Sequence, residues 1–363
     1  MLTRLKTLPH VPRALIAMTF AALVLAGCSR IAPTSWPGIS ADEASVYLAF
    51  NEAVRAIDLI EGKELWFYPQ EPDRAMTMFA PPSPAPEGQI IVGTYNNKVF
   101  ALQGQDQSIA WESDVSRGRI VGAPVVAGDL VLVPSADGSL YALNVYSGSQ
   151  VWSFKARQGL WASPAVEGDT IYLTSLDHHV YALSLASGKS LWEKDLSGAI
   201  PDKPAIAGDV ILAGTLGNKL IALQKQTGEV LWEIKSEDWV WGTPAVGDGV
   251  AYYADLSGAV SAVRITDGDV VWTRALGGRI IASPLLADNV VYLLTEAGAV
   301  SALAAKDGKT LWQEKPGGKL LSDPVLAGKT LVVSALESEN LLSAYDAQSG
   351  DLLWSYKPAE KEG

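Results

Sequence analysis

The chain has 363 residues, 48% of them hydrophobic, with 40 acidic against 28 basic side chains and a net charge of −12. An apolar fraction of that size excludes a disordered tail and implies a protein that buries a large core. The acidic balance argues against recognition of a phosphate backbone or an anionic bilayer by charge alone, so no nucleic-acid partner is expected. The 33 glycines and 12 tryptophans point to a regular β architecture with many tight turns.

Residues 1–27 carry Arg4, Lys6 and Arg13, no acid, and an apolar run over 14–25. A run of twelve residues is too short to span a bilayer as a helix, and the pattern is that of a secretory signal. The boundary Leu25, Ala26, Gly27, Cys28 resembles the lipobox of bacterial lipoproteins. That resemblance implies that Cys28 becomes the first mature residue and carries acyl chains such as palmitate. Each buried methylene contributes about 0.8 kcal/mol, so two or three chains hold a protein on a membrane almost permanently. Cys28 is the only cysteine, which leaves no disulfide to form within the chain. Loss of the signal removes three positive charges and takes the balance to −15. A lipidated tether over 28–35 then joins the anchor to the folded body. Ser29 resembles the residue that sorts lipoproteins to an outer membrane, which implies the periplasmic face of that membrane, or the outer surface of the cell membrane where no outer membrane exists.

From residue 36 onward the chain repeats itself. Eight eleven-residue segments, such as ALNVYSGSQVW and ALSLASGKSLW, end in Trp66, Trp111, Trp152, Trp192, Trp232, Trp272, Trp312 and Trp354. Pro84, Pro124, Pro164, Pro204, Pro244, Pro284 and Pro324 recur in phase with them, 40 residues apart. Two independent marks at one period are the signature of a repeat architecture. Within one unit, 160–194, the pattern predicts a first strand around 161–166, a turn at Gly168 and Asp169, and a second strand over 170–176. A turn at Asp177 and His178, a third strand over 180–185, a turn at Ser187 and Gly188, and a fourth strand over 190–194 follow. Four short strands per 40 residues make a propeller blade. The expected fold is all-β, an eight-bladed propeller of four-stranded antiparallel blades over 36–358, with a tail at 359–363. The repeats start near Trp36 and finish after Trp354 on whole blades, so the ring is expected to close by end-to-end packing and not by a swapped strand.

Seven of the eight segments place glycine four residues before the tryptophan, where a turn needs positive φ; the second has Gln107 there. Each tryptophan can bury roughly 150 to 250 Å², so the eight rings are expected to dominate the cohesion of the wheel.

These segments resemble the tryptophan-docking motif of the quinoprotein-type, PQQ-like propellers: Ala182, Ser187, Gly188 and Trp192 match it position for position, and the motif's third-position aspartate survives as Asp58 and Asp346. The resemblance covers nearly the whole mature chain and implies two branches. Quinoprotein dehydrogenases hold PQQ with calcium over the channel, catalyse with an aspartate, and in many members stack the cofactor on a disulfide of adjacent cysteines. That disulfide is excluded here. The other branch is the BamB-like propeller, a lipid-anchored, non-enzymatic scaffold of the outer-membrane β-barrel assembly machinery, and lipobox, blade number and size match it. The resemblance therefore implies an envelope protein partner such as a β-barrel assembly component, attachment to the membrane through the lipid, and no catalytic residue. Its Leu-x-Leu-Arg partner loop has no equivalent, since Leu183 and Leu185 fall on a predicted strand.

Links between blades and the turns between second and third strands share one rim of the channel. Trp161, Trp239 and Trp241 lie there, outside the docking positions, with Arg119, Arg157, Arg279 and Lys319 in neighbouring links. They are the candidates for partner binding; alternatively the tryptophans only cap the inner strands. His178 falls on a turn position held elsewhere by Gly138, Asn218, Gly258 and Gly298, which favours a left-handed turn residue over a metal ligand. The mature chain has too few His and Cys for a zinc site, and Asp255 and Glu296 lack the clustered oxygens calcium needs. No metal and no cofactor is expected, PQQ with calcium being the alternative.

Overall fold

The computed structural model describes residues 36–71, 73 and 76–359. The expected signal, Cys28, the tether and the end of the tail lie outside the described residues. Eight antiparallel sheets of four strands follow one another along the chain, at 38–68, 83–113, 125–155, 165–195, 205–235, 245–275, 285–314 and 325–356. They are blades 1 to 8 of the expected propeller. Blade 1 draws all its strands from the start of this region and blade 8 all of its strands from the end, so no strand is exchanged at closure.

In blade 4 the strands are Ala165–Glu167, Thr170–Thr174, His179–Ser184 and Ser190–Asp195. The first is shorter than the sequence predicts. Pro164 has no N–H to give a ladder, and the amide of Leu160 bonds instead to the carbonyl of Ser135 in blade 3, so the chain up to Pro164 belongs to the rim. The turn glycines have the expected positive φ, from 66° at Gly188 to 82° at Gly350, and Gln107 adopts 58° in their place.

The apolar core is divided. One buried cluster lies at each junction between blades: Val99, Ile120 and Val133 join blades 2 and 3, for example, and Leu48, Val332 and Trp354 join blades 8 and 1. Burial at the junctions means that each blade is stabilised by its neighbours, and the ring by its completeness.

The docking motif organises each junction. Its leading alanine lies opposite the tryptophan in the ladder between third and fourth strands, as Ala142 does with Trp152, and a bulge follows it. The indole then reaches the next blade. Trp111 donates to the carbonyl of Val145 at 2.8 Å, Trp232 to Ile265 at 2.9 Å, and Trp272 to Ala305 at 2.8 Å. Trp152, Trp192, Trp312 and Trp354 make the same bond. In each case the acceptor lies three residues before the next blade's turn glycine, and a Cβ built on that glycine would meet the ring: 2.3 Å from Trp111 at Gly148, 2.6 Å from Trp192 at Gly228. At the turn of blade 2 Gln107 stands in place of that glycine, and among the described residues Trp66 alone of the eight indoles makes no such bond.

Candidate interaction rim

The links between blades fold over one end of the channel in a repeated way. In each of six links an aliphatic residue (Ile120, Leu160, Ile200, Val240, Ile280 or Leu320) is at most 2% exposed. The carbonyl of the residue before it accepts from the turn between second and third strands of the following blade: Ala136 N–H to Arg119, Leu256 N–H to Trp239, Glu296 N–H to Arg279. In four of the six the amide of the aliphatic residue bonds back to the preceding blade: Ile120 to Thr94, Leu160 to Ser135, Ile200 to Ser175 and Val240 to Thr215. Those four links, which carry Arg119, Arg157, Trp161, Trp239 and Trp241, are thus stapled to two blades.

The candidate residues occupy three positions in this scheme. Arg119, Trp239, Arg279 and Lys319 precede the buried aliphatic, Trp161 and Trp241 follow it, and Arg157 lies three residues before it. Trp161 is 42% exposed and Trp239 41%, while Trp241 is half-buried. The cations already have internal contacts. Arg157 bonds Glu193 at 2.7 Å and the Tyr181 hydroxyl at 3.2 Å, Lys319 bonds Glu337 at 2.8 Å, and Arg279 lies 3.8 Å from Glu296. Arg119 lies over the ring of Tyr95, 5.5 Å from its centre. These exposed ion pairs are weak and exchangeable.

Aspartates fix the geometry beneath. The carboxylate of Asp177 accepts from the Arg157 amide at 2.8 Å, the Tyr181 hydroxyl at 2.8 Å and the His179 amide at 3.0 Å. Burial works against its ionisation, but the Tyr181 hydroxyl and the amide donors outweigh that and hold its carboxyl below the usual range. Asp137 binds the Arg117 amide and the Tyr141 hydroxyl in the same way. His178 has φ 76°, and its counterparts Gly138, Asn218, Gly258 and Gly298 all have positive φ, as their shared turn position predicts.

The sequence reading missed a polar network inside the mouth. Asp202, which leads into blade 5, accepts from the Thr243 amide at 3.0 Å and the Ser283 hydroxyl at 2.8 Å, while the Ser283 amide donates to Asp323 at 2.7 Å. Four consecutive blades are linked through two carboxylates. Asp323 is open to channel water yet walled by protein, and its carboxyl is pushed up to about 6, first by that enclosure and then by the negative charge of Asp202. The recurrence of Ser, Thr or Asp just before the phased prolines (Ser83, Thr243, Ser283, Asp323) was the available signal.

Asp255 and Glu296 are both engaged within the chain. The Asp255 carboxylate is taken up by the amides of Glu237, Ser257 and Ala259, and Glu296 faces Arg279. Among the described residues no three His, Cys, Asp or Glu side chains gather as a metal site.

The eight four-stranded sheets and their docking tryptophans define a propeller of the PQQ-like repeat class. The profile of the family described as outer membrane protein assembly factor BamB matches residues 50–199, 136–238, 176–278 and 257–363, and the chain belongs to that family. It is similar to the BamB of Shewanella oneidensis, 35% identical over 136 residues, and to that of Nitrosomonas eutropha, 25% identical over 116. The matched stretches cover 35% and 32% of this chain but only 32% and 27% of those relatives. In fold it is similar to the crystal structure of BamB from Moraxella catarrhalis, with a TM-score of 0.71, 16% identity, and coverage of 82% of this chain and 92% of that one. The computationally designed Ika8 protein shares the fold as well, with a TM-score of 0.73, 13% identity, and coverage of 88% and 95%.

Proposed function

We propose that this protein is a non-enzymatic scaffold, held by acyl chains on Cys28 at the periplasmic face of an outer membrane, that binds envelope proteins through the rim and takes part in β-barrel assembly as BamB does. Family membership supports the assembly role. The observation that carries the rim is the exposure of Trp161 and Trp239, 42% and 41%, on links whose backbones are stapled to two blades. A large aromatic held in the open by a rigid backbone gains burial on association and loses little conformational freedom. Arg157 and Arg279 around them can exchange internal carboxylates for those of a partner, and Arg119, over the Tyr95 ring, offers a further cation.

The test uses the lipidated full-length protein and the purified β-barrel assembly complex of the same organism. Trp239→Ala with Trp241→Ala, shown to be folded by circular dichroism, is expected to weaken co-purification at least tenfold. Unchanged recovery sinks the rim as the binding surface. A thermal shift on adding PQQ with calcium would overturn the scaffold reading itself.

A further inference from the structure

A cleft of about 290 Å³ opens between blades 6 and 7 on the rim opposite the links. Gly247, Asp248 and Tyr252 of blade 6 line it, with Leu286, Asp288 and Ala305 of blade 7. Asp248 and Asp288 stand at the tips of the turns between first and second strands, exposed and in left-handed conformations with φ 50° and 48°. Tyr252 is 5% exposed, and its hydroxyl has no hydrogen-bond partner among the described residues; only burial and the nearby Asp248 charge act on it. The equivalent Tyr292 of blade 7, by contrast, donates to the carbonyl of Ala347 at 3.0 Å.

The repeat supplies an internal template. The same cleft between blades 4 and 5, 80 residues earlier, has Glu167 for Gly247, Tyr172 for Tyr252, Gly208 for Asp288 and Lys225 for Ala305. There the Lys225 ammonium, on a side chain 15% exposed, lies 2.5 Å from the Glu167 carboxylate, donates to the Gly208 carbonyl, and interacts electrostatically with Tyr172. Between blades 6 and 7 the lysine is replaced by alanine and the glutamate by glycine, which makes room, while two turn aspartates restore the negative charge. The cleft keeps the chemistry that receives an ammonium group and lacks the chain's own.

We propose that the cleft between blades 6 and 7 binds a primary alkylammonium group from outside the chain, in the place that Lys225 fills from within at the equivalent cleft. The nitrogen donates to the Asp248 and Asp288 carboxylates and to the free oxygen of Tyr252, and the methylene stem lies against Leu286. A lysine side chain and a free diamine both present this group.

The measurement is a titration of the full chain, labelled with ¹⁵N at glycine and asparagine, with n-butylamine, putrescine and N-acetyl-lysine methylamide, n-butanol serving as the neutral control. Saturable shifts of the Gly247, Gly249 and Asn289 amides with the three amines, at millimolar concentration, and none with butanol, are expected. Ala305→Lys places an internal ammonium in the cleft and should abolish the shifts. Gly247→Ala puts a Cβ 2.5 Å from the Leu286 side chain, at ordinary φ, and should weaken binding at least fivefold by pushing that side chain into the cleft. Tighter binding of the acetyl-lysine derivative assigns the site to protein lysines; tighter binding of putrescine assigns it to free diamines. Shifts that do not saturate, that appear equally at the turns of Asp129, Asp169 and Asp209, or that persist in both Ala305→Lys and Gly247→Ala would overturn the proposal.

Discussion

The indole nitrogen of Trp354 donates to the carbonyl of Leu59 at 2.9 Å, joining residues 295 positions apart and closing the ring with the same bond that joins its interior blades. Tyr356, two residues on, adds a hydrogen bond to Glu64 of blade 1, which Arg55 approaches at 3.2 Å. The chain ends therefore meet at a strong junction, and the incomplete one lies between blades 1 and 2, where Trp66 lacks its bond. Trp354→Phe should cost about 2 to 3 kcal/mol, from a buried hydrogen bond and lost ring area, and Trp66→Phe about 1 kcal/mol less. Urea unfolding midpoints with unchanged slopes would measure the difference; equal losses would contradict the inequality of the two junctions.

A second prediction concerns the turn that receives each ring. Gly228→Ala combines φ 72° with a Cβ 2.6 Å from Trp192, and should destabilise by about 3 kcal/mol. Gln107→Gly removes a side chain from a left-handed position and should stabilise by about 0.5 kcal/mol after the added freedom of the unfolded chain is subtracted. In hydrogen exchange, the amide of Gln107 should exchange faster than that of Gly148, its equivalent in blade 3, and the gap should narrow in the Gln107→Gly variant.

Blade number, strand order and turn chirality were legible in the sequence because each rests on spacing. Trp192 and Gly188 stand four residues apart in one repeated segment. In the fold, however, Gly188 receives Trp152 from the preceding blade, a pairing that the 40-residue period conceals because every blade offers the same two residues. The rim was legible only in part: Trp161 and Trp239 stood out as tryptophans off the period, whereas Asp202 and Asp323 belong to links for blades 5 and 8 and meet only when the ring curves through Ser283. The ammonium cleft was invisible for a related reason, since Ala305 and Gly247 become informative only beside Lys225 and Glu167.

Asp177 should act as the clamp of the link that carries Trp161. Asparagine in its place turns one acceptor oxygen into a donor facing either the Arg157 amide or the His179 amide. A loss of about 1 to 2 kcal/mol is expected for Asp177→Asn, with faster exchange of the Arg157 and Leu160 amides. If stability falls while those amides keep their protection, the clamp acts elsewhere.

The two kinds of aspartate predict opposite responses to pH. Asp137 and Asp177 have folded values below the unfolded one of 3.8, so their contribution is present above pH 4 and is lost as pH falls through their folded values. Asp323, pushed up to about 6, holds a proton in the folded state at pH values where the unfolded chain has released it. Between about pH 4 and 6 the native state therefore binds more protons, and this group lowers stability as pH rises through that window. Channel water screens the repulsion from Asp202 and limits the effect to about 1 kcal/mol. Asp323→Asn keeps an acceptor for the Ser283 amide and removes the charge. Melting temperatures of wild type and variant should converge near pH 4.5 and separate by pH 7.5 with the variant higher; curves that run parallel across that range would show that the two carboxylates do not interact across the channel mouth.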